Sequence, residues 1–569
     1  MDKEYGPVLP ISEETHQMKY RSKGESFSEA MSRIAGAITD NEKHFHAFRD
    51  ILLTQRFMPA GRVQAAAGSP RQVTYFNCFV MNTLPDSMEG IMETAKQAAE
   101  TMRLGGGVGY DFSTLRPRGD LITSLDSKAS GPVSFMQIFD AICKTIASAG
   151  HRRGAQMGVL RVDHPDIEEF VEAKQNKGNL TQFNISVGIT DEFMNCVLED
   201  KPFNLVWRDK VYKTINSRYL WDKIMRSNWK WAEPGVLFLD RINEMNNLWY
   251  CEKIAATNPC GEQPLPPYGA CLLGSFNLVK YITQDECGNR TFNWEQFTRD
   301  IPVVVRAMDN VTDKSIYPLK EQYEEAMSKR RMGLGVTGLA NALEALGRPY
   351  GSETFLQKQE QILSILTNGC YMASSLLAAE KGSFPLFDRD KYLQSKFVQQ
   401  LSEDVVESIA KHGIRNSHLT SIAPAGTISL AADNVSSGIE PPYRLQYGRT
   451  MQTFDGPIKE IVEDYGQRVF GVKGKTADQC SPKDHVSVLL VAAKWMDSAV
   501  SKTCNIGDDV SFEDFKTVYV DAWLGGAKGC TTFRAAGDRD SIFAEVKPAQ
   551  EDGTQACFFD PETGRRSCE

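Results

Sequence analysis

Apolar positions recur at helical spacing near the start of the chain, as in Phe27-Ser-Glu-Ala-Met-Ser-Arg-Ile-Ala, so residues 1 to about 55 read as charged helices. His44 and His46 fall there as His-Phe-His and are read as a solvated helix face rather than a metal pair. From Phe57 to Asn82 the texture changes to Gly, Pro and short apolar pieces, ending in Thr74-Tyr-Phe-Asn-Cys-Phe-Val-Met, and strands with turns are expected. The spacing predicts a helix over 88–104, running into Gly105-Gly-Gly-Val-Gly109. Further helices are predicted near 132–148, 164–175, 218–230, 320–330, 336–346, 353–380 and 395–412. Strand-like runs lie between them, among them Phe183-Asn-Ile-Ser-Val-Gly, Val236-Leu-Phe-Leu and Ser421-Ile-Ala-Pro. This alternation continues over most of the chain without a linker or a repeat, and reads as one large α/β body. From about Lys547 the chain turns polar and turn-rich, as a mobile tail does.

Composition narrows the function. The 569 residues are 41% hydrophobic and 24% charged, ordinary for a folded protein with a large core. A net charge of −9 argues against a generic binder of nucleic acid or anionic membrane, while permitting local basic pockets. No run approaches the roughly 18 apolar residues of a membrane helix. The start, Met1-Asp-Lys-Glu-Tyr-Gly-Pro, lacks a basic-then-apolar leader pattern, so a cytoplasmic location is expected. There are thirteen cysteines and no Cys-x-x-Cys, which speaks against a secreted disulfide framework and a zinc ribbon. Most of these thiols are expected to be small buried hydrophobes.

Several stretches carry chemistry. Gly333-Leu-Gly-Val-Thr-Gly338 matches a dinucleotide fingerprint, but it follows the charged helical stretch Glu324-Glu-Ala-Met-Ser-Lys-Arg-Arg instead of a buried strand, so no nicotinamide site is assigned. Ser421-Ile-Ala-Pro-Ala-Gly-Thr-Ile-Ser429 offers backbone N–H groups at a strand-to-helix turn and suits a phosphate as well as an ordinary tight turn. Gly105–Gly109, with Asp111, Phe112, Ser113 and Arg116 behind it, is a flexible stretch able to approach a ligand. His151-Arg-Arg-Gly-Ala-Gln-Met-Gly158 joins basic and small residues, as a nucleotide-phosphate pocket or a plain loop would. The sharpest feature is Asn258-Pro-Cys-Gly-Glu262, a turn able to aim an amide, a thiol and a carboxylate at one substrate. Cys271 follows in Gly269-Ala-Cys-Leu-Leu-Gly-Ser-Phe-Asn-Leu, and Cys78 lies upstream in Phe76-Asn-Cys-Phe-Val.

These motifs resemble ribonucleotide reductase over nearly the whole chain. They are Asn258–Glu262, Asn77-Cys-Phe-Val, Gly105–Gly109, Arg152–Gly158, Pro424–Ser429 and the cysteine-bearing tail, and six motifs in family order are highly specific. The resemblance implies a ten-stranded α/β barrel of two five-stranded parallel halves in antiparallel arrangement around a central finger loop. It divides the chain into an N-terminal helical region (1–56), a catalytic barrel with effector loops (57–546) and a flexible redox tail (547–569). It implies that Cys260 carries a thiyl radical that abstracts the 3′ hydrogen of a ribonucleotide. Glu262 would act as base on the 3′-hydroxyl, and Asn258 would orient the substrate. Cys78 and Cys271 would supply two electrons by closing a disulfide, and Cys557 with Cys568 would resupply them from the tail. Asn77, Pro424, Ala425, Gly426, Thr427 and Ile428 are the implied substrate-binding residues. Asp86, Ser87, Arg116, Arg153 and Gln156 are the implied binders of a deoxynucleoside triphosphate effector.

Members that rely on a metal-containing subunit relay the radical through two adjacent tyrosines, where Thr532-Phe533 stands here. No convincing C-terminal glycyl-radical motif is found either. The resemblance is therefore closest to the adenosylcobalamin-dependent class, the cofactor carrying the difficult chemistry, with diphosphates as the expected substrates. The alternatives weighed are the large subunit of a class that needs a metal-containing radical subunit, and a non-catalytic nucleotide-binding regulator on the same barrel. A thioredoxin- or glutaredoxin-like reductant and a homodimer are expected, with helices near 88–104 and 132–148 at its interface. The chain starts too close to the barrel for an N-terminal ATP-binding regulatory domain, so no on/off regulation by ATP and dATP is expected.

Overall fold

A computed structural model describes residues 5–148, 152–153, 155–176, 178–453 and 456–534. Three helices come first, Pro10–Tyr20, Phe27–Ile38 and Glu42–Leu53. The second starts at a capping box, in which Ser26 and Glu29 satisfy each other's backbone N–H groups. Its stripe Met31, Ile34, Ala35 and Ile38 joins a large buried cluster that also holds Phe57, Phe276 and the apolar face of helix Trp294–Lys314. The solvated-face expectation is corrected for His44. It precedes Phe48 by one helical turn, lies on the same buried stripe, and its Nε2 sits 3.0 Å from the Val303 carbonyl. Burial holds its imidazole below the ordinary value. His46 is exposed, on a solvated face as expected.

The strands that position the site are β1 (Phe57–Pro59), β2 (Cys78–Val80), β3 (Gly107–Asp111), β4 (Gln156–Arg161), β5 (Phe183–Ile189) and β6 (Gly235–Phe238). They continue as β7 (Ala256–Thr257), β8 (Pro264–Leu265), β9 (Ala270–Cys271), β10 (Leu273–Asn277), β11 (Gly333–Thr337), β12 (Thr503–Ile506) and β13 (Gly529–Arg534). An eight-stranded sheet has the order β9-β2-β3-β4-β5-β6-β13-β12. Strands β2 to β6 run parallel, with helices such as Met88–Arg103 and Pro132–Thr145 as crossovers. Each end of this parallel run meets an antiparallel neighbour, β9 beside β2 and β13 beside β6.

A three-stranded sheet, β1-β10-β11, has β10 and β11 parallel. Only Leu272 separates β9 from β10, so the chain passes straight from one sheet to the other. Between β11 and β12 the link consists of single parallel bridges, Leu334 to Thr420 and Ile422 to Val500. The described sheets therefore do not close into the expected ten-stranded barrel. Thr420–Ile422 is a short stretch soon ended by Pro424, which has no N–H to extend a ladder.

Strand alternation divides the interior. Phe79, Leu272 and Phe276 face the large cluster with the N-terminal helices. Cys78, Val80, Cys271 and Leu273 face a smaller central cluster with Met157, Leu237 and Leu265. The helix Glu353–Lys381 is long and apolar enough by composition to cross a membrane, yet 61% of its most apolar stretch is buried inside this fold.

Candidate active site

Strands β7 and β8 form a hairpin, pairing Ala256 with Leu265 and Thr257 with Pro264, and its tip is Asn258–Gln263. The Asn258 N–H donates to Gln263 O (3.2 Å), and the Gly261 N–H donates to Asn258 O (3.1 Å), with Gly261 at φ +83°. This hairpin lies directly on β3. A Cβ at Gly109 would sit 2.0 Å from Thr257 O, and one at Gly107 would sit 3.2 Å from both Pro259 Cγ and Cys78 Sγ. Gly107 and Gly109 thus belong to a buried strand, and they lack side chains because the hairpin occupies that space. The fingerprint-like run is likewise a strand, β11. Cβ atoms at Gly333 and Gly335 would each fall 2.2 Å from a neighbour, Gln263 Nε2 and Ser421 O respectively. The tip is clamped further by Asn184 Nδ2 on Pro259 O (2.9 Å), and by the Ala499 N–H (2.9 Å) and Ser421 Oγ (2.8 Å) on Glu262 O. Asn184, Ala499 and Gln263 are supports of the tip that sequence reasoning missed, while Ser421 lay in the stretch read as a phosphate turn. Of those missed, only Gln263, adjacent to Glu262, lay within reach of a local reading.

The chemistry-bearing groups converge here. Asn258 is fully buried, and its Oδ1 accepts from the Gln263 N–H (3.0 Å) and the Thr257 hydroxyl (3.1 Å), which leaves Nδ2 without a partner. Glu262 is 1% exposed and its Oε2 has no partner. Burial pushes its carboxyl up to about 7, against the pull of its own N–H and of Asn258. Cys78 and Cys271 are register partners across β2 and β9, and both are buried. Such partners have Cα atoms about 4.5–5.5 Å apart, within the span of about 4.4–6.8 Å that a disulfide bridges. The Cys271 thiol is held well above its ordinary value by burial, then by Cys78 and Glu262 beside it.

Cys260 stands half-buried at the tip. It is disulfide-bonded in this structure. A cavity beside the tip is lined by Cys260, Gly261, Ser186, Ser501, Gly529 and Thr531, and neither Cys78 nor Cys271 borders it.

The other predicted residues fall in three places. Pro424–Ile428 forms a turn in which Ala425 is left-handed (φ +55°) before the short helix Gly426–Ala431, and the buried Thr427 Oγ1 has no partner. Asn77 is buried, and its N–H donates to Cys271 O (3.2 Å). Asp86, Ser87 and Arg116 are together. The Arg116 N–H and Nε donate to the Asp86 carboxylate (3.0 and 2.9 Å), and Ser87 caps helix Met88–Arg103. Gln156 does not join them. It is buried on β4, accepting from the Tyr110 hydroxyl (2.8 Å) and donating to Phe139 O (3.2 Å). Arg153 lies in a two-residue strand paired with Ala147–Ser148, and Cys557 and Cys568 lie outside the described residues.

A family model described as "Ribonucleotide reductase, barrel domain" matches residues 76–533, spanning every residue of this constellation. The chain belongs to the ribonucleotide reductase family. Among its relatives, a vitamin B12-dependent ribonucleoside-diphosphate reductase of Mycobacterium tuberculosis (strain CDC 1551 / Oshkosh) is 33% identical over 96% of this chain and 81% of its own. One of Thermoplasma acidophilum is 34% identical over 93% of this chain and 71% of its own. A vitamin B12-dependent ribonucleotide reductase of Streptomyces clavuligerus is 27% identical over 94% of this chain and 64% of its own.

Proposed function

We propose that this chain reduces ribonucleoside diphosphates to 2′-deoxyribonucleotides by thiyl-radical chemistry, with adenosylcobalamin as its cofactor. The observation that carries this reading is the convergence of Asn258, Glu262, Cys78 and Cys271 around the tip that bears Cys260. When bound, the cofactor supplies an organic radical able to take the hydrogen atom of a thiol. The cavity beside Cys260 has Ser186, Gly261, Ser501, Gly529 and Thr531 among its walls, together with the larger Met157, Leu237 and Lys502, and it is the side from which a group would reach the sulfur. Thr532, whose hydroxyl is 3.0 Å from the Tyr519 hydroxyl, and Phe533 stand where a paired-tyrosine relay would run, and this also favours the cobalamin class.

In the working state Cys260 is a reduced thiol, and its thiyl form takes the 3′ hydrogen of the ribose. Glu262 accepts the 3′-hydroxyl proton, a task suited to a carboxyl poised at about 7. Asn258 holds the sugar through its open Nδ2. The 2′-hydroxyl leaves as water while Cys78 and Cys271 are oxidised to a disulfide. Two thiols and one ribonucleotide thus give one disulfide, one water and one deoxyribonucleotide. The hydrogen then returns from Cys260 to C3′. Cys557 and Cys568 reduce the new disulfide by exchange and are themselves reduced by a thioredoxin- or glutaredoxin-like protein.

The two antiparallel seams, β9 with β2 and β13 with β6, together with the bridges at Thr420 and Val500, support a ten-stranded barrel around the finger. The Asp86–Arg116 pair beside the capped helix Met88–Arg103 supports a deoxynucleoside triphosphate effector site there. A homodimer through this helix and Pro132–Thr145, working in the cytoplasm, completes the proposal. The test is purified protein with CDP, a dithiol and adenosylcobalamin, and no second protein. Cobalamin-dependent dCDP is expected. No product, or product only on adding a metal-containing partner, overturns the reading.

A further inference from the structure

Asn277 ends β10 and is fully buried, and neither its Oδ1 nor its Nδ2 has a hydrogen-bond partner. Among the described residues no other buried side-chain amide has both ends open. It stands at the N-cap of the turn Leu278–Tyr281, where Asn ordinarily accepts a backbone N–H, yet it makes no such bond. A buried amide without protein partners is unfavourable, so an ordered water or a bound group is expected to satisfy it.

Its position says what binds. Cys271 and Leu273 face the central cluster, and alternation along the strand places Asn277 on that same face. Its register partner on β11 is Thr337, whose hydroxyl is 2.7 Å from Ser429 Oγ, two residues beyond Thr427. A Cβ on Gly338 (φ +72°) would come within 3.2 Å of Asn277 Oδ1. Thr427 Oγ1 and Ser437 Oγ, buried nearby in sequence and fold, also lack partners. Open polar groups thus gather where β10 and β11 end beside the Pro424–Ile428 turn.

We infer that Asn277 is a substrate-binding residue, its Nδ2 donating to a phosphate oxygen of the ribonucleotide alongside the Thr427 hydroxyl and the backbone N–H groups of the turn. This rests on the reading that the turn holds the substrate phosphate. The test uses the full chain with Asn277→Ala, Asn277→Asp and Asn277→Ser, measuring calorimetric affinity for CDP and for cytidine, KM and kcat for CDP, and thermal midpoint. Asn277→Ala is expected to weaken CDP about tenfold or more, as loss of a hydrogen bond to a charged group does. Asn277→Asp is expected to weaken it further by repulsion, while cytidine affinity is kept and KM moves more than kcat. Asn277→Ser, small and polar, serves as the measured variant if the others fail to fold. Unchanged CDP affinity, or equal loss for CDP and cytidine, overturns the inference. A wild-type chain with no preference for CDP over cytidine would instead overturn the reading on which it rests.

Discussion

Replacing Glu262 by Gln separates its chemical role from its stability cost. A carboxyl moved from 4.5 to about 7 has its ionised form disfavoured by about 3 kcal/mol in the folded chain. Because the folded value is raised, the folded chain keeps a proton that the unfolded chain has already lost between these two values. Stability therefore falls as pH rises from 4.5 toward 7, and the deficit persists above it. Gln has the same shape and cannot ionise. Relative to wild type, Glu262→Gln should gain up to about 3 kcal/mol between about pH 4 and about pH 8, while turnover is lost. The first readout is denaturation of both proteins at the two pH values. The second is an infrared titration of the carboxyl band that is missing in the variant, with its midpoint expected at about 7. The acidic limb of the wild-type pH–rate profile should rise through the same region, since the base must be ionised to work. A carboxyl midpoint near the ordinary 4.5, or a stability difference that does not change with pH, would refute the reasoning.

Other expectations follow from the same geometry. Cys260→Ser should abolish turnover and leave deoxynucleoside triphosphate binding intact, checked by product assay and calorimetry, and unchanged turnover would remove the thiyl assignment. Cys271→Ser should leave Cys78 without its cross-strand partner, so that substrate-dependent loss of thiols, counted by alkylation and mass spectrometry, disappears. Gly109→Ala puts a methyl 2.0 Å from Thr257 O, and the strain should lower stability by about 1–3 kcal/mol while a shifted hairpin lowers kcat by about a hundredfold. Arg116→Ala removes the side-chain contact to Asp86, and should weaken the effector-driven change in which base is reduced, read from the product ratio with each deoxynucleoside triphosphate.

Local features were legible wherever the deciding contacts are local. The helix predicted over 88–104 is found at Met88–Arg103, because apolar positions at helical spacing and the Ser87 cap both lie within its own sequence. Asn258–Glu262 is legible as a turn for the same reason. The face-to-face placement of Cys78 and Cys271 is not, since it depends on an antiparallel seam between strands far apart in the chain. His44 misled because its neighbours in sequence are charged, whereas the contact that decides its state is Val303.

The glycines make the sharper case. Gly105–Gly109 looked like a flexible approach to a ligand, and Gly333–Gly338 like a failed fingerprint, because a local reading sees only freedom of the backbone. Their constraint comes from elsewhere. Gly107 and Gly109 on β3 admit Thr257 and Pro259, while Gly333 and Gly335 on β11 admit Gln263 and Ser421, so two distant strands hold the hairpin and its support from different sides. Asn258, Cys260 and Glu262 specify the chemistry of the tip, and these four glycines specify where the tip can stand. An added methyl on either strand should therefore resemble a catalytic lesion in turnover while leaving every catalytic side chain in place.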